Sequence, residues 1–119
     1  MLYGDFTRDG GYTAARRAFA EQAPTPEAPI CLVAANDVMA VGAMTAARDD
    51  GLAVPRAVQI AGFDDIPTLR DVSPALTTVR LPLEDMGEWA VQIALESPTA
   101  QTRTVSGDVV LRDSTARRR

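Results

Sequence analysis

The chain has 119 residues, 46% of them apolar, a net charge of −4, one cysteine and no histidine, and every one of its 12 basic residues is arginine. Without histidine or lysine it can hold no Ser-His-Asp triad, Cys-His pair, Schiff-base lysine, P-loop lysine or histidine-ligated metal, so no enzyme role and no cofactor is expected. The acidic balance argues against direct nucleic-acid binding, and no run approaches the ~18 apolar residues of a membrane helix.

The N-terminal MLYGDFTRDGG lacks the basic start and apolar core of a secretory signal, which points to a cytoplasmic protein. Leu2 and Tyr3 read as the end of a strand, with Gly4, Asp5 and Phe6 at its carboxyl end. Thr7 and Asp9 are both candidate N-caps for a helix over Gly11–Gln22, whose Tyr12, Ala15 and Phe19 share one face. The proline-rich loop Pro24–Pro29 ends it. Next come a strand over Ile30–Asn36, a helix over Asp37–Asp50, a turn at Gly51 and a strand over Val58–Asp65. Both strands are apolar runs without polar alternation, the pattern of strands covered on both faces in a parallel sheet. Cys31 is expected to be a small buried hydrophobe there. A loop or short helical turn over Ile66–Pro74 leads to a strand over Leu76–Leu81. A helix follows from Pro82 to Ser97, with Leu83, Met86, Ala90 and Ile93 as its apolar stripe. Short strands over Thr102–Val105 and Val109–Arg112 close the chain, and Arg117–Arg119 reads as a solvated tail. The fold class is therefore α/β, a partial doubly wound sheet.

Ligands of such sheets bind beyond the carboxyl ends of the strands. Three strand ends carry suitable side chains: Phe6, Asn36 and Asp64. The Asn36 amide offers donors and an acceptor, the Asp64 carboxylate accepts from two hydroxyl groups, and the Phe6 ring offers a flat apolar face. Asp5 is expected to be structural, Asn36 or Asp37 to cap the helix over Asp37–Asp50, and Asp65 to be a cap or turn residue. Arg80 reads as a solvated or ion-paired surface residue, and Trp89 is left unassigned.

Five runs appear in order: GDFTRDGGY (Gly4–Tyr12), AANDVMAVGAMTAARDDGLAVP (Ala34–Pro55), VQIAGFDDIP (Val58–Pro67), PALTTVRLPLEDMG (Pro74–Gly87) and VVLRDSTA (Val109–Ala116). Together they resemble the C-terminal part of lactose-repressor-type (LacI/GalR) transcription regulators. The resemblance implies a partial lobe of the periplasmic-binding-protein-like (type I) fold, a three-layer unit built on a parallel sheet. Residues 1–76 would form the C-terminal lobe core, 77–98 the crossover strand and helix, and 99–119 the terminal strands and tail. It implies effector contacts at Phe6, Asn36 and Asp64, with a sugar-like small molecule bound between two lobes. It also implies a homodimer through the helix after Asn36 and the loop near Leu69–Ser73. Operator DNA would be bound only through an N-terminal helix-turn-helix that does not precede this segment, so the chain alone is expected neither to bind DNA nor to sense effector fully. The stripe on the Pro82–Ser97 helix would then lack its partner lobe, leaving the isolated chain marginal, associating or partly molten. The alternative reading is a solute-binding protein of a sugar-uptake system.

Overall fold

Two helices cover one face of a short parallel strand pair in the computed structural model, which describes residues 1–96 and 102–116. Helix α1 spans Arg8–Gln22 and starts three residues earlier than expected because Thr7 is the cap. Its hydroxyl accepts the Gly10 N–H at 3.0 Å. At the other end Ala23 turns left-handed (φ 44°) and its N–H bonds the Phe19 carbonyl, after which Pro24 prevents continuation. Helix α2 spans Asp37–Asp49, capped by Asn36. Gly51 follows with φ 69°, the left-handed conformation expected of it.

The two helices cross through glycine. A Cβ on Gly42 would land on the Arg8 carbonyl oxygen and 2.7 Å from the Tyr12 nitrogen, and one on Gly11 would lie 2.6 Å from the Met39 Cα. Backbone therefore meets backbone, and Ala15, Ala18, Phe19, Ala40, Ala43, Met44 and Ala47 close around the crossing. Gly42→Ala raises helix propensity by about 1 kcal/mol but forces the helices apart, so we expect a net loss of roughly 1 to 2 kcal/mol in urea unfolding. A gain in stability would show that the helices can separate at no cost.

Strand β1 (Ile30–Val33) pairs in parallel with β2 (Val58–Ala61), in the register Ile30↔Val58 to Val33↔Ala61. Val58 and Ile60 are fully buried, and Ile30 and Leu32 pack on the same cluster. Cys31 and Val33 point the other way and are exposed, which corrects the expectation of a buried Cys31. The strand is apolar on both faces as expected, but among the described residues only one face carries helices. Leu2 and Tyr3 form no strand: Leu2 packs on the core, whereas Tyr3 is exposed.

Beyond β2 the chain stays alongside β3 (Thr78–Arg80), with parallel bridges Ala61↔Thr77 and Asp64↔Arg80. Strand β3 pairs antiparallel with β4 (Asp108–Val110) in the register Thr78↔Val110. The C-terminal segment is fastened by Ser114, which is fully buried. Its hydroxyl donates to the Ile60 carbonyl at 2.6 Å and accepts the Thr77 N–H at 2.8 Å. The strand expected over Thr102–Val105 does not form, and Arg117–Arg119 lie outside the described residues.

Helix α3 (Leu83–Glu96) contains no buried residue. Its half-buried side chains are Met86, Trp89 and Ile93, so the apolar line runs through Trp89, and Leu83 and Ala90 are exposed. The Arg103 guanidinium lies 3.6 Å from the centre of the Trp89 ring. The radius of gyration is 16.7 Å, against roughly 13.5 Å for a compact chain of this length. Helix α3 stands away from the α1–α2 core, which accounts for the excess.

Candidate functional site

Asn36 sits where β1 gives way to α2, and its amide is divided between two tasks. The Oδ1 atom accepts the Met39 N–H at 2.8 Å, which caps the helix, and the Nδ2 group donates to the Phe6 carbonyl at 3.3 Å. One amide hydrogen and one lone pair are left over. The next residue, Asp37, donates its N–H to the Phe63 carbonyl at 2.9 Å, one residue before Asp64. Phe6, Asn36 and Asp64 are thus joined along one rim by backbone and amide hydrogen bonds.

Of the two candidate caps, Asn36 caps α2 and Asp37 does not. The Asp37 carboxylate is buried, accepting the Thr78 hydroxyl at 2.5 Å and the Ile66 N–H at 2.8 Å. It ties the start of α2 to β3 and to the loop after Asp65. Asp64 is half-buried, and its N–H donates to the Val79 carbonyl at 2.9 Å. Its carboxylate has no hydrogen-bond partner among the described residues. Burial, and after it the negative charge of Asp37, pushes the Asp64 pKa up.

Asp65 was expected to be a cap or turn residue. It is instead a buried ionic hub, with its side chain only 1% exposed. One oxygen accepts Arg112 Nη2 at 2.6 Å, the other accepts Arg80 Nε at 2.7 Å, and Arg70 lies 3.6 Å away. Burial raises the carboxyl pKa, but the hydrogen bonds and charges of Arg112 and Arg80 together outweigh it and hold the pKa below the usual value. Arg80 is the ion-paired residue of its two expected readings. Arg112 also donates to the Leu76 carbonyl at 2.8 Å, so the hub joins the strand end, the crossover strand and the C-terminal segment. These partners lie 15 and 47 residues from Asp65, and no periodic pattern links residues so far apart.

Phe6 is 68% exposed and sits at φ 62°. Asp64 (φ 109°) and Asp65 (φ 52°) are also at positive φ. Of the four non-glycine residues with positive φ among the described residues, only Ala23 lies elsewhere, and it is a helix cap. Such conformations are costly and concentrate at functional positions. The sequence held no sign of this strain. Asp5 is structural as expected: the Thr7 hydroxyl at 2.6 Å, and then the Thr7 N–H at 3.1 Å, bond its carboxylate and hold its pKa low.

Grooves of about 480 Å³ beside α2 and the Val72–Pro74 loop, 730 Å³ between the N-terminal residues and α1, and 510 Å³ along α3 are lined by other residues. The rim itself is open surface, as one wall of a two-walled cleft would be, so side-chain chemistry rather than cavity volume marks it. No cluster of three metal-ligating side chains occurs among the described residues, and no helix there is long and apolar enough to cross a membrane.

Residues 3–115 match the periplasmic binding protein-like domain family. The HTH-type transcriptional repressor PurR of Edwardsiella ictaluri is 34% identical over 121 residues, covering 98% of this chain and 34% of that protein. Among solved structures, a LacI family transcriptional regulator from Mycobacterium smegmatis superposes with a TM-score of 0.83 at 33% identity, over 95% of this chain and 43% of that one. A LacI family regulator from Arthrobacter sp. FB24, solved in complex with lactose, gives 0.80 at 28% identity, over 97% and 44%. The chain spans about a third of the length of the PurR relative. The order of elements, the open rim and these likenesses agree: the chain belongs to the periplasmic binding protein-like domain family, and it is similar to one part of LacI-type transcriptional regulators.

Proposed function

We propose that the rim of Phe6, Asn36 and Asp64 is one wall of the effector cleft of a cytoplasmic, dimeric LacI-type regulator, and that the effector is a sugar or similar small polar molecule. The observation that carries this reading is the linked rim: a ring, an amide and a carboxylate on one edge, with Phe6 and Asp64 held at positive φ. The spare amide valences of Asn36 and the Asp64 carboxylate suit a pair of adjacent hydroxyl groups, and the exposed Phe6 ring suits the apolar face of a pyranose. An effector acts by binding one arrangement of two lobes better than another. This chain supplies residues for one wall, and operator binding belongs to a DNA-reading segment outside it. The dimer contact would use the outer face of α2 with the loop near Leu69–Ser73.

The reading is tested by titrating the chain with lactose or ribose and following backbone amide resonances. We expect weak, saturable shifts confined to Phe6, Asn36, Asp64 and their neighbours. Asn36→Ala should abolish them while costing about 1 kcal/mol through loss of the cap. Shifts clustered elsewhere, or retained in Asn36→Ala, would overturn the assignment.

A further inference from the structure

Asp64 holds an uncommon backbone conformation, φ 109°. A non-glycine residue stays there only where its surroundings impose it. Two bonds from the β3 segment do so. The Asp64 N–H donates to the Val79 carbonyl at 2.9 Å, and the Asp65 N–H donates to the Thr78 hydroxyl at 3.3 Å. The peptide groups on both sides of the Asp64 Cα are thereby fixed. We infer that Thr78 is a positioning residue of the candidate site: its hydroxyl, by gripping the Asp65 N–H, fixes the turn that leaves the Asp64 carboxylate at the rim. Thr78 is 1% exposed, too deep to touch a ligand itself. The inference rests on the proposed function only in treating that carboxylate as a ligand group.

A hydroxyl carries one proton and can also accept. The proton of Thr78 goes to Asp37 Oδ1 at 2.5 Å, which leaves a lone pair of the same oxygen for the Asp65 N–H. The other oxygen of Asp37 accepts the Ile66 N–H at 2.8 Å. The two N–H groups that follow Asp64 are therefore held by one hydroxyl and one carboxylate, both from buried residues. Gly62 makes room for the pair, because a Cβ there would land on Asp37 Oδ1. Valine matches threonine in shape but can neither donate nor accept. In Thr78→Val the Asp65 N–H and Asp37 Oδ1 lose this partner inside the fold, which costs more than the bond itself is worth, and the strained turn is released. The adjacent Thr77 is buried as well, yet its hydroxyl bonds the backbone of Arg112 in the C-terminal segment. Thr77→Val is thus a control for the loss of a buried hydroxyl as such.

A carboxyl-carbon NMR titration of the whole chain tests it with no ligand present. Burial, and then Asp37, holds the Asp64 pKa above its ordinary value. In Thr78→Val that pKa should fall toward the ordinary value as the carboxylate turns out to water. In Thr78→Ser, which keeps the hydroxyl, and in Thr77→Val it should stay raised. A second measurement needs no variant: in the natural chain the Thr78 hydroxyl proton should exchange slowly enough to be seen and should show cross-relaxation to the Asp65 amide proton. Ribose titration of the same samples should give about tenfold weaker binding in Thr78→Val and unchanged binding in Thr78→Ser. The proposal is overturned if the Asp64 pKa is the same in Thr78→Val as in the natural chain, if Thr77→Val lowers it equally, or if the Thr78 hydroxyl shows no contact with the Asp65 amide. Absence of any ribose response in the natural chain would count against the effector reading instead, and the Asp64 pKa would still decide the role of Thr78.

Discussion

Replacing Asp65 with asparagine is expected to destabilise the chain by about 3 kcal/mol at neutral pH, the lower end of the effect of breaking a buried ion pair. Asparagine keeps the volume, so no cavity contributes. What is lost is the negative charge between Arg112 and Arg80, and Arg112 is only 21% exposed. Its guanidinium would remain largely buried with a neutral acceptor. Arg80 is 53% exposed and can turn to water, which is why the upper end of the range is not expected. Arg70→Ala should change stability by less than about 1 kcal/mol, because that pair is long and exposed. Urea unfolding checks both: the midpoint should fall sharply for Asp65→Asn and barely for Arg70→Ala, with the slope unchanged. An equal, small effect for the two would show that the hub contributes little. The pH dependence follows from the same geometry. The folded-state pKa of Asp65 lies below its ordinary value of 3.8. The carboxylate's contribution is therefore complete above that value and is lost as pH falls through the lower folded value. The stability gap between the natural chain and Asp65→Asn should close in that acid range and stay constant from pH 5 to 8.

At the neighbouring position the expected sign is opposite. Asp64→Gly should stabilise the chain by about 1 kcal/mol at neutral pH, although it removes a side chain from the candidate site. Asp64 sits at φ 109°, which glycine adopts without strain. Its carboxylate is also disfavoured: burial, and then Asp37, raises its pKa above 3.8. A raised folded-state pKa makes a favourable contribution below the unfolded value that is lost as pH rises through the folded one. At neutral pH the charge is thus maintained at a cost, and glycine removes it. Part of the gain is offset by the greater freedom of glycine in the unfolded chain. On the proposed function, the same substitution should abolish the response to lactose or ribose. Thermal unfolding and the amide titration read the two effects separately. A lower midpoint for Asp64→Gly would mean that the carboxylate supports the fold, and sugar-dependent shifts that survive would mean that it is not a ligand group.

These two predictions put strain and stability on adjacent residues of one strand end. Asp65 turns inward to its arginines, and Asp64 is left at the rim. The inward residue anchors the backbone, and the outward one is held where it would not otherwise settle. Phe6 repeats the arrangement, with its carbonyl held by Asn36 and its ring in solvent.

The helix ends were legible in the residues because capping is local. Thr7 and Asn36 each bond an N–H group three positions on, and Gly51 needs only its own backbone freedom. The βαβ unit and the α/β class were legible because the short apolar runs of β1 and β2 are bounded by polar and turn-forming residues. The Asp65 hub was not legible, nor was the buried clamp formed by Asp37 and Thr78. Their partners come from β3 and the C-terminal segment, and nothing in local periodicity pairs them. The Thr102–Val105 run has strand-forming residues but finds no neighbouring edge.

The chain's order of residues by itself determined where helices begin and end, which strands are apolar on both faces, and which polar groups crown them, since these depend on interactions within a turn or two of chain. Tertiary structure alone decided that Ile30 and Leu32 of β1 pack on the core, that α3 stands clear of it, and that Asp65 rather than Asp64 is the ionic anchor. Burial and charge pairing are set by whatever surface lies opposite, and that surface comes from residues dozens of positions away.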